Sequence, residues 1–504
     1  MNRLANAINS ATVNTPNSLT ANGAAAYVTT TSPLVDFIGN AGSVVEPKDR
    51  EFENSQIVRL FAPLFKYDIE KAMRAAFWLR DSRGGSGRRQ SFRLILKWLE
   101  ANDPITLVKV LPYVPHYGRW DDLLIFTPNS NIERAAFGII RDTLNDVGNN
   151  AAGLCAKWMP RKGPIAVRLT KYLGLNPRGY RKFIVSLTNV VETAMCARDW
   201  GSVNFNHVPS VAMARYTRAF NKRMPEKFAQ YKSDLIAAMQ GKVTASDVKI
   251  NVDALYPHDI IRSMNLNPSD VLIDIQWEKL KEKYGNITAN ILPLIDVSGS
   301  MGVNVSGSVT AMDVSVSLGM FLSELQTGPF NGMSLTFSDK PTFINTNNVS
   351  GLYKKAELVY AGVWGMSTNI EKAFNEILNF AKTNKVTQDE MPEYLLVMSD
   401  MQFNRASRYD MTIHNTAKQM FDNAGYKLPT IVYWNLNTYE NTNPVTKHET
   451  GTILVSGFSP ALIDVIFSGN FENVNPDIIA NEVINKPRYD LISEALNTRV
   501  ELVA

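Results

Sequence analysis

The chain has 504 residues, of which 45% are hydrophobic and 20% are charged, a composition that is ordinary for a globular protein. This length exceeds what one hydrophobic core usually serves, so we expect about two to four domains. No apolar run of about 18 residues predicts a membrane span, and the first residues lack the basic segment and apolar core of a secretory signal. We therefore expect a cytoplasmic protein that contacts no membrane.

The formal net charge of +4 hides an uneven distribution along the chain. Residues 51–250 carry 31 Lys and Arg against 17 Asp and Glu, whereas residues 251–504 carry 18 against 28. A basic half of this kind favours a polyanionic ligand. The two cysteines, Cys155 and Cys196, and the five scattered histidines lack zinc-ligand or redox spacing, so we expect two buried structural thiols.

Residues 1–50 are the first predicted segment, an extended or low-complexity arm. Residues 1–32 are rich in Asn, Ala, Thr and Ser and show little periodicity, which predicts an extended or disordered chain. Residues 33–40 contain an apolar cluster. We expect this cluster to pack onto the body of the protein as a first short element.

Residues 51–288 are predicted to be mostly helical. Apolar residues recur at helical spacing, as at Ile57, Leu60 and Leu64, and breakers such as the Gly84–Gly87 segment separate the helices. Short helices at such intervals are typical of stacked pairs in an α-solenoid of the HEAT-like type. No clean repeat consensus is visible, so the repeat prediction depends on spacing alone.

The helical segment also contains clustered cations with interleaved aromatic residues. Residues 151–232 hold 15 basic and 3 acidic residues, with Trp158, Tyr172 and Tyr180 among them. Arginine binds phosphate through paired hydrogen bonds, and aromatic rings stack on unpaired bases. The set as a whole predicts RNA binding, while a solvated helix face is an equally good interpretation of any single residue. The predicted RNA-binding residues are Arg80, Arg83, Arg88, Arg89, Lys157, Arg161, Lys162, Arg168, Lys171, Arg178, Arg181, Lys182, Arg215 and Arg218.

From residue 289 to residue 475, apolar runs of strand length alternate with helical segments. Runs at 291–295, 333–337, 394–398 and 430–436 are separated by stretches with helical spacing. This alternation is typical of βαβ units and predicts a Rossmann-like, doubly wound and mostly parallel sheet. The fold class is therefore α followed by α/β, and residues 476–504 are expected to return as a closing helix.

Polar side chains follow two of the predicted strands. Asp296, Ser298 and Ser300 form a D-x-S-x-S motif after the first strand, and Asp400 follows the run at 394–398. Thr368 lies on a small-residue loop between them. Ligands bind at the carboxyl ends of strands in such sheets, and carboxylates with hydroxyls suit Mg²⁺ or another divalent cation. We predict these five residues as metal ligands, with the acids acting directly or through waters; the alternative is a Ser/Gly turn whose acids cap helices.

This set of residues resembles the metal-ion-dependent adhesion site of the von Willebrand factor A (vWA) family. That site combines D-x-S-x-S, a Thr on a second loop and an Asp on a third, which Asp296, Ser298, Ser300, Thr368 and Asp400 match. The resemblance implies a vWA domain at residues 289–475. It also implies that an acidic group of a partner can complete the metal shell.

The order of a basic helical half and a vWA-like half resembles the Ro (TROVE) RNA-binding proteins and, more closely, a Ro-like family of unknown function with this layout. The resemblance implies a ring or horseshoe of helical repeats closed by the vWA domain. Such a ring takes single-stranded RNA ends in its hole and structured small RNAs on its outer basic face. The resembling segments are LTANGAAAY (19–27), RDSRGGSG (80–87), YGRWDDLL (117–124), AMCARDW (194–200), VPSVAMARY (208–216), WGMSTN (364–369), VMSDMQF (397–403) and VYWNL (432–436).

We therefore predict a non-enzymatic protein that binds small non-coding or misfolded RNA. The alternative is a protein–protein scaffold that grips an acidic partner through the metal site. A metal-dependent nuclease is disfavoured, because the site has only two acids and no evident general base.

Two other motifs invite interpretation. Asp121 and Asp122 look like paired catalytic acids, but pairing with Arg119 or helix capping is favoured. The Gly84–Gly87 loop lacks the P-loop pattern and predicts a helix–helix connection that could lend amides to a phosphate.

Overall fold

A computed structural model of the chain describes residues 16–47, 50–146, 150–188, 190–242, 248–264, 270–337, 340–362, 368–405, 411–438, 442–467 and 474–498. The chain divides into two compact units. The sheet unit comprises the described residues of 1–46, 59–75 and 255–486, and the helical unit those of 47–58, 76–254 and 487–504. The predicted arm at residues 1–15 and most of the WGMSTN loop, residues 364–367, lie outside the described residues.

The α-helices follow one another closely in the first half of the chain and alternate with strands in the second. In chain order they are α1 Pro33–Asn40, α2 Gln56–Tyr67, α3 Ile69–Arg80, α4 Arg89–Asn102, α5 Pro104–Val110, α6 Val114–Tyr117, α7 Asn131–Asn145, α8 Asn150–Trp158, α9 Pro164–Tyr172, α10 Pro177–Leu187, α11 Val191–Cys196, α12 Ser210–Arg223, α13 Pro225–Met239, α14 Pro257–Met264, α15 Val271–Tyr284, α16 Ala311–Leu325, α17 Leu352–Tyr360, α18 Ile370–Thr383, α19 Ile413–Ala424, α20 Ile463–Phe467, α21 Pro476–Ile484 and α22 Asp490–Asn497.

The strands belong to the sheet unit. They are β1 Ser18–Leu19, β2 Ala25–Ala26, β3 Ile291–Asp296, β4 Asn304–Ser306, β5 Val309–Thr310, β6 Met333–Phe337, β7 Thr342–Asn345, β8 Tyr394–Ser399, β9 Thr430–Asn435 and β10 Thr452–Ser456. The protein is thus a mixed α/β protein, with helices in its first half and a mixed sheet in its second. Among the described helices, none has the length and apolar composition that a membrane span requires.

Local sequence signals set the starts of helices in the helical unit. The side chains of Ser130 and Asn176 cap α7 and α10 by accepting hydrogen bonds from backbone amides, and a proline occupies the first turn of α9 and of α10. Neighbouring helices then pack through their apolar faces, α7 against α8 and α12 against α13. An aromatic cluster lies inside, where the rings of Phe92 and Tyr117 each meet Phe77 edge-on at a centroid distance of 5.2 Å.

The main sheet has six strands in the order β10-β9-β8-β3-β6-β7. Its pairs are parallel except at the β7 edge, where β6 and β7 are antiparallel. Every residue of β3 and β10 is buried, which explains their continuous apolar runs, because a parallel strand is covered on both faces. The prediction of a mostly parallel sheet in this half of the chain is confirmed.

Helix α16 covers the centre of the sheet. It packs on β3 and β6, and nearly all of its residues are buried. Its start is set by a capping box in which Thr310 and Asp313 exchange side-chain and backbone hydrogen bonds. At one glycine of this helix, Gly319, an added Cβ would lie 2.8 Å from Ile295 of β3, so the helix can approach the sheet closely there.

The described part of the predicted arm is ordered in the sheet unit. Strands β1 and β2 form an antiparallel hairpin, and Tyr27 exchanges backbone hydrogen bonds with Asn443 at 2.9 and 2.8 Å. The expected short element at 33–40 is present as α1, whose Val35 and Phe37 are fully buried. Of the two predicted alternatives, extended or disordered, residues 16–32 therefore show an ordered segment with short extended strands, and backbone hydrogen bonds to distant residues such as Asn443 help to order it.

The two compact units differ from the predicted domains at both ends of the chain. Residues 16–46 belong to the sheet unit, and the expected closing helix at 476–504 is two helices, α21 in the sheet unit and α22 in the helical unit. One cysteine also departs from expectation: Cys155 is buried, but Cys196 is exposed, because it ends the short α11, none of whose residues is buried.

Candidate functional site

The sheet order brings two acid-bearing strand ends side by side. From the β7 edge, the six strands lie in the chain order 3-2-1-4-5-6, the order of doubly wound nucleotide-binding sheets. The first strand, β3, therefore pairs with the fourth, β8, at the point where the order reverses. Ligands of such sheets bind in the crevice outside the carboxyl ends at this point. Asp296 ends β3, and Asp400 directly follows the end of β8.

Asp296 and its neighbouring hydroxyls form a closed network. Asp296 is fully buried and accepts hydrogen bonds from the Ser298 amide at 2.9 Å and from the Ser399 hydroxyl. The hydroxyls of Ser298 and Ser300 lie 3.1 Å apart, and Ser300 interacts with Asp400. The structure thus brings four of the five predicted ligands into one connected group.

Asp400 is the residue of this group with unsatisfied hydrogen-bonding capacity. It is 1% exposed, and its Oδ1 accepts from the Gln402 amide at 3.2 Å. Its Oδ2 is buried and has no hydrogen-bond partner among the described residues. A buried polar atom without a partner is costly, so a carboxylate oxygen left in this state is a candidate for binding a cation.

The electrostatics of the two acids are those of a pair without a counter-charge. Burial raises the pKa of Asp296 to about 7, and the charge of Asp400 adds to the shift. Burial also raises the pKa of Asp400. Among the described residues, neither acid forms an ion pair with a lysine, arginine or histidine. A divalent cation would stabilise both carboxylates in their charged form.

Thr368, the fifth predicted ligand, is 1% exposed and directly precedes Asn369, the N-cap residue of α18. Its backbone is tied to the loop that follows Asp400: its carbonyl accepts from the Asn404 amide at 3.1 Å, and its amide donates to Asn404 Oδ1 at 3.3 Å. Asn404 therefore joins the second predicted ligand loop to the third.

The donor set fits a hard cation that keeps some of its waters. Two carboxylates and three hydroxyls supply only oxygen atoms, as Mg²⁺ prefers. No group of three or more His, Cys, Asp or Glu side chains occurs in the described ranges, so transition-metal sites of that kind are not found there. If the cation is bound, Asp296, Ser298, Ser300, Thr368 and Asp400 are the residues that would hold it, directly or through waters.

Sequence reasoning did not assign roles to three further residues of this site. Ser399 donates to Asp296, Gln402 donates to Asp400 from its backbone, and Asn404 binds Thr368. Ser399 is the last residue of β8, and Gln402 and Asn404 lie in the largely polar segment that follows it. That composition was the available signal, because a run of polar residues after a buried strand marks a strand-end loop.

The predicted RNA-binding residues divide into exposed and structural groups. Arg80 is only 3% exposed and binds Asp122 at 2.7 Å, so it is part of the interior. Arg168 pairs with Glu133 at 2.7 Å, and Lys157 lies 3.6 Å from Glu192. Arg88 is half-buried. The exposed members are Arg83, Arg89, Arg161, Lys162, Lys171, Arg178, Arg181, Lys182, Arg215 and Arg218.

Six of the exposed cations lie close together in sequence, on α9, α10 and the loop before α9. We call these residues the basic surface: Arg161, Lys162, Lys171, Arg178, Arg181 and Lys182. The segment from residue 160 to residue 191 contains no Asp or Glu. Its charge is therefore positive throughout, and a polyanion would meet no local repulsion.

The aromatic residues of this region are mostly structural. Tyr180 and Phe220 are buried in the core, and the Tyr180 hydroxyl donates to the Pro160 carbonyl at 2.9 Å. Trp158 is covered by the Arg119 guanidinium, which lies 3.7 Å from the ring centroid. Tyr172 is 37% exposed and is therefore the aromatic side chain best placed to stack on a base.

The motif YGRWDDLL forms an ion-pair network rather than a catalytic pair. Asp122 is fully buried and binds Arg80 and Arg93, each at 2.7 Å. Asp121 accepts from Arg119 Nε at 2.9 Å and lies 3.0 Å from Arg93. Burial alone would raise the pKa of Asp121, but these arginines lower it below its usual range. The predicted pairing with Arg119 is confirmed.

Three amides of the glycine loop at 84–87 donate to backbone carbonyls that precede the loop. The Gly85 and Gly87 amides donate to the Asp81 carbonyl, and the Ser86 amide donates to the Trp78 carbonyl. An added Cβ on Gly85 would lie 2.0 Å from that Trp78 oxygen, so only glycine fits there. The amides of Gly85, Ser86 and Gly87 are therefore not available to a phosphate, because their hydrogens are already used.

Comparison with known proteins finds similarity to sequences without an assigned function. The profile of a domain of unknown function (DUF2828) matches residues 178–289, and that of another (DUF7788) matches residues 290–494. The chain is 29% identical over 517 residues to the uncharacterized protein L728 of Acanthamoeba polyphaga mimivirus, covering 91% of this chain and 86% of that protein. The crystal structure of the Deinococcus radiodurans RO (RSR) protein is similar with a TM-score of 0.48 and 13% identity, covering 90% of this chain and 99% of that one.

Proposed function

We propose that this chain is a non-enzymatic RNA-binding protein of the Ro-like kind, in which the helical unit holds the RNA and the sheet unit is a vWA domain that holds Mg²⁺. The observation that supports RNA binding best is the basic surface, six exposed cations in a segment without an acid. In this proposal the helices form a HEAT-like ring or horseshoe, and the ligand is a small non-coding or misfolded RNA in the cytoplasm.

The chemistry of the basic surface suits phosphate more than bases. Arg178 and Arg181 lie on α10 at a spacing of three residues, and Arg161 precedes α9. Arginine at such spacing presents paired donors on one helix face to successive phosphates. Tyr172 on α9 adds an exposed ring against which an unpaired base can stack. Single-stranded or irregular RNA, which offers such bases, is therefore the proposed ligand.

The test is a binding titration with two fluorescent RNAs, a single-stranded oligomer of mixed sequence and a small structured RNA with an unpaired end. We expect the double charge reversal Arg178→Glu/Arg181→Glu to weaken binding at least about tenfold, since it reverses two charges among six. The matched control is Lys97→Glu, an exposed cation elsewhere in the helical unit. Equal binding by the double variant and the wild type would contradict the proposal.

A second candidate function is the capture of an acidic partner through the cation site. Asp400 Oδ2 favours it, since that atom has no hydrogen-bond partner within the described ranges and, with the neighbouring hydroxyls, offers a cation an incomplete set of protein ligands. The resemblance to the vWA adhesion site implies that a partner carboxylate completes such a set. Calorimetric titration with MnCl₂ and MgCl₂ tests the site itself, and Asp400→Asn should remove the heat of binding.

The two functions separate under mutation. Asp296→Ala should abolish cation binding and partner capture and leave RNA binding intact. Charge reversal on α10 should do the opposite. An RNA affinity that falls in both variants would show that the two proposed functions share one site.

A further inference from the structure

The N-terminal hairpin contacts the loop that follows Asp400. Three successive residues of the turn between β1 and β2 make these contacts. The Thr20 hydroxyl donates to the Phe403 carbonyl at 2.7 Å, the Ala21 amide donates to Gln402 Oε1 at 2.7 Å, and Asn22 Nδ2 donates to the Gln402 carbonyl at 2.6 Å. The turn belongs to LTANGAAAY, a sequence segment to which neither proposed function assigns a role.

Further backbone contacts make the two segments one small antiparallel pair. The Asn22 carbonyl accepts from the Arg405 amide at 3.1 Å, and Gly23 forms an antiparallel bridge with Asn404. Gly23 has φ +87°, a conformation that suits glycine and lets the turn present Thr20, Ala21 and Asn22 to the same loop. The sequence separation of these contacts is about 380 residues, so they are purely tertiary.

The contacted loop carries the candidate cation site at both of its ends. At the first end, the Gln402 amide donates to Asp400 Oδ1. At the other end, Asn404 binds the backbone of Thr368 through two hydrogen bonds. Between Asp400 and Gln402, Met401 has φ +61°, which non-glycine residues rarely adopt. A loop with such a residue needs outside contacts to hold its conformation, and the hairpin supplies them.

We infer that Thr20 and Asn22 of the N-terminal hairpin are positioning residues of the cation site, which set its affinity by holding the loop that carries Asp400 and contacts Thr368. The inference depends on the proposed cation site. It adds that a segment more than 270 residues before the D-x-S-x-S motif belongs to the functional unit. Residues that orient ligands from outside the coordination shell commonly change metal affinity.

The test compares the Mn²⁺ affinity of four single variants of the full chain, measured by calorimetry, with their melting temperature in EDTA. Thr20→Val and Asn22→Ala each remove a hydrogen bond to the loop. Thr20→Ser keeps the hydroxyl, and Asn17→Ala is a matched control. Asn17, like Asn22, is an exposed asparagine of this hairpin, but its Oδ1 accepts from the Val28 amide inside the hairpin.

We expect Thr20→Val and Asn22→Ala to weaken Mn²⁺ binding about fivefold, less than the roughly 10- to 100-fold typical of residues that bond directly to metal ligands. Thr20→Ser and Asn17→Ala should stay within about twofold of the wild type, because both leave the loop contacts in place. A merely structural role would lower the melting temperature of Asn22→Ala and Asn17→Ala alike and leave both affinities unchanged.

The outcomes separate this inference from the proposed function. Wild-type protein that binds no Mn²⁺ overturns the cation site and the inference with it. Wild-type protein that binds Mn²⁺ while Thr20→Val and Asn22→Ala bind it equally well overturns the inference alone. If Thr20→Val does not fold, Asn22→Ala decides, because the Asn22 side chain is exposed, whereas Thr20 is buried.

Discussion

Two pairs of buried or half-buried acids, one in each compact unit, differ in their partners. In the helical unit, Asp121 and Asp122 meet Arg80, Arg93 and Arg119, and the pKa of Asp121 is lowered. In the sheet unit, the described hydrogen-bond partners of Asp296 and Asp400 are hydroxyls and amides, and the pKa of both acids is raised. The first pair is already neutralised and holds the fold together. The second pair has no lysine, arginine or histidine partner in the part of the chain that the structure describes, which is why we propose a cation there.

Removing the acid of the first pair should produce the largest effect. Asp122→Ala leaves the buried Arg80 without its partner, and breaking such a pair costs about 3–5 kcal/mol of unfolding free energy. Urea denaturation measures this loss of unfolding free energy. The control Asp142→Ala removes an exposed ion pair with Arg141 and should leave the unfolding free energy almost unchanged, because solvent screens such a pair. Similar losses in both variants would contradict the structural role of Asp122.

The salt dependence of RNA binding should come next, because the proposed RNA site is exposed and the cation site is not. With six cations on single-stranded RNA, raising the salt from about 50 to about 200 mM should lower RNA affinity about 300-fold. Anisotropy titrations in KCl check this. Mn²⁺ affinity should change much less over the same range, since buried carboxylates are poorly screened. If RNA affinity does not respond to salt, the cations of the basic surface do not supply the binding energy.

Neutralising one acid of the second pair should weaken cation binding about 100-fold and stabilise the cation-free protein. Asp400→Asn removes a ligand charge and also the repulsion between two buried carboxylates. We therefore expect a higher melting temperature than wild type in EDTA and no increase on adding Mg²⁺. Calorimetry and thermal melts with and without EDTA measure both effects. If the variant is less stable than the wild type in EDTA, repulsion between the Asp296 and Asp400 carboxylates does not destabilise the cation-free protein, and the prediction is contradicted.

A smaller effect should come from His414, a buried group of the sheet unit outside the cation site. Burial, with the charge of Lys418 adding, lowers the pKa of His414 to about 4. Glu449 lies 3.7 Å from Nε2 of His414, and the Tyr433 hydroxyl lies 3.5 Å from Nδ1. Between about pH 6.5 and 4 the unfolded chain binds more protons at this residue than the folded one, so stability falls as the pH falls.

Lowering the pH from about 7.5 to 5 should therefore cost about 2 kcal/mol through His414. Urea denaturation at several pH values measures the slope. His414→Phe should flatten it, whereas the exposed His448→Phe should leave it unchanged. Identical slopes in the wild type and His414→Phe would assign the pH dependence to other groups.

The candidate cation site could be predicted from sequence because most of its information is local. Asp296, Ser298 and Ser300 lie within five residues of one another, directly after an apolar run that could only be a buried strand. The RNA-binding residues could not be predicted one by one. Arg80 and Arg178 look alike in the sequence, yet one is buried against Asp122 and the other is exposed, because exposure depends on which helix face is covered.

The sequence by itself determined the mixed α/β character, the mostly parallel sheet, the strand-end motif and the basic half of the chain. Each follows from a periodicity, a motif or a charge count within a short stretch of residues. Only the tertiary structure decided that Asp296 and Asp400, which are 104 positions apart, share one network, and that residues 20–22 contact the loop beside them. Strand pairing and long-range packing bring such residues together, and no local pattern encodes which distant segments will meet.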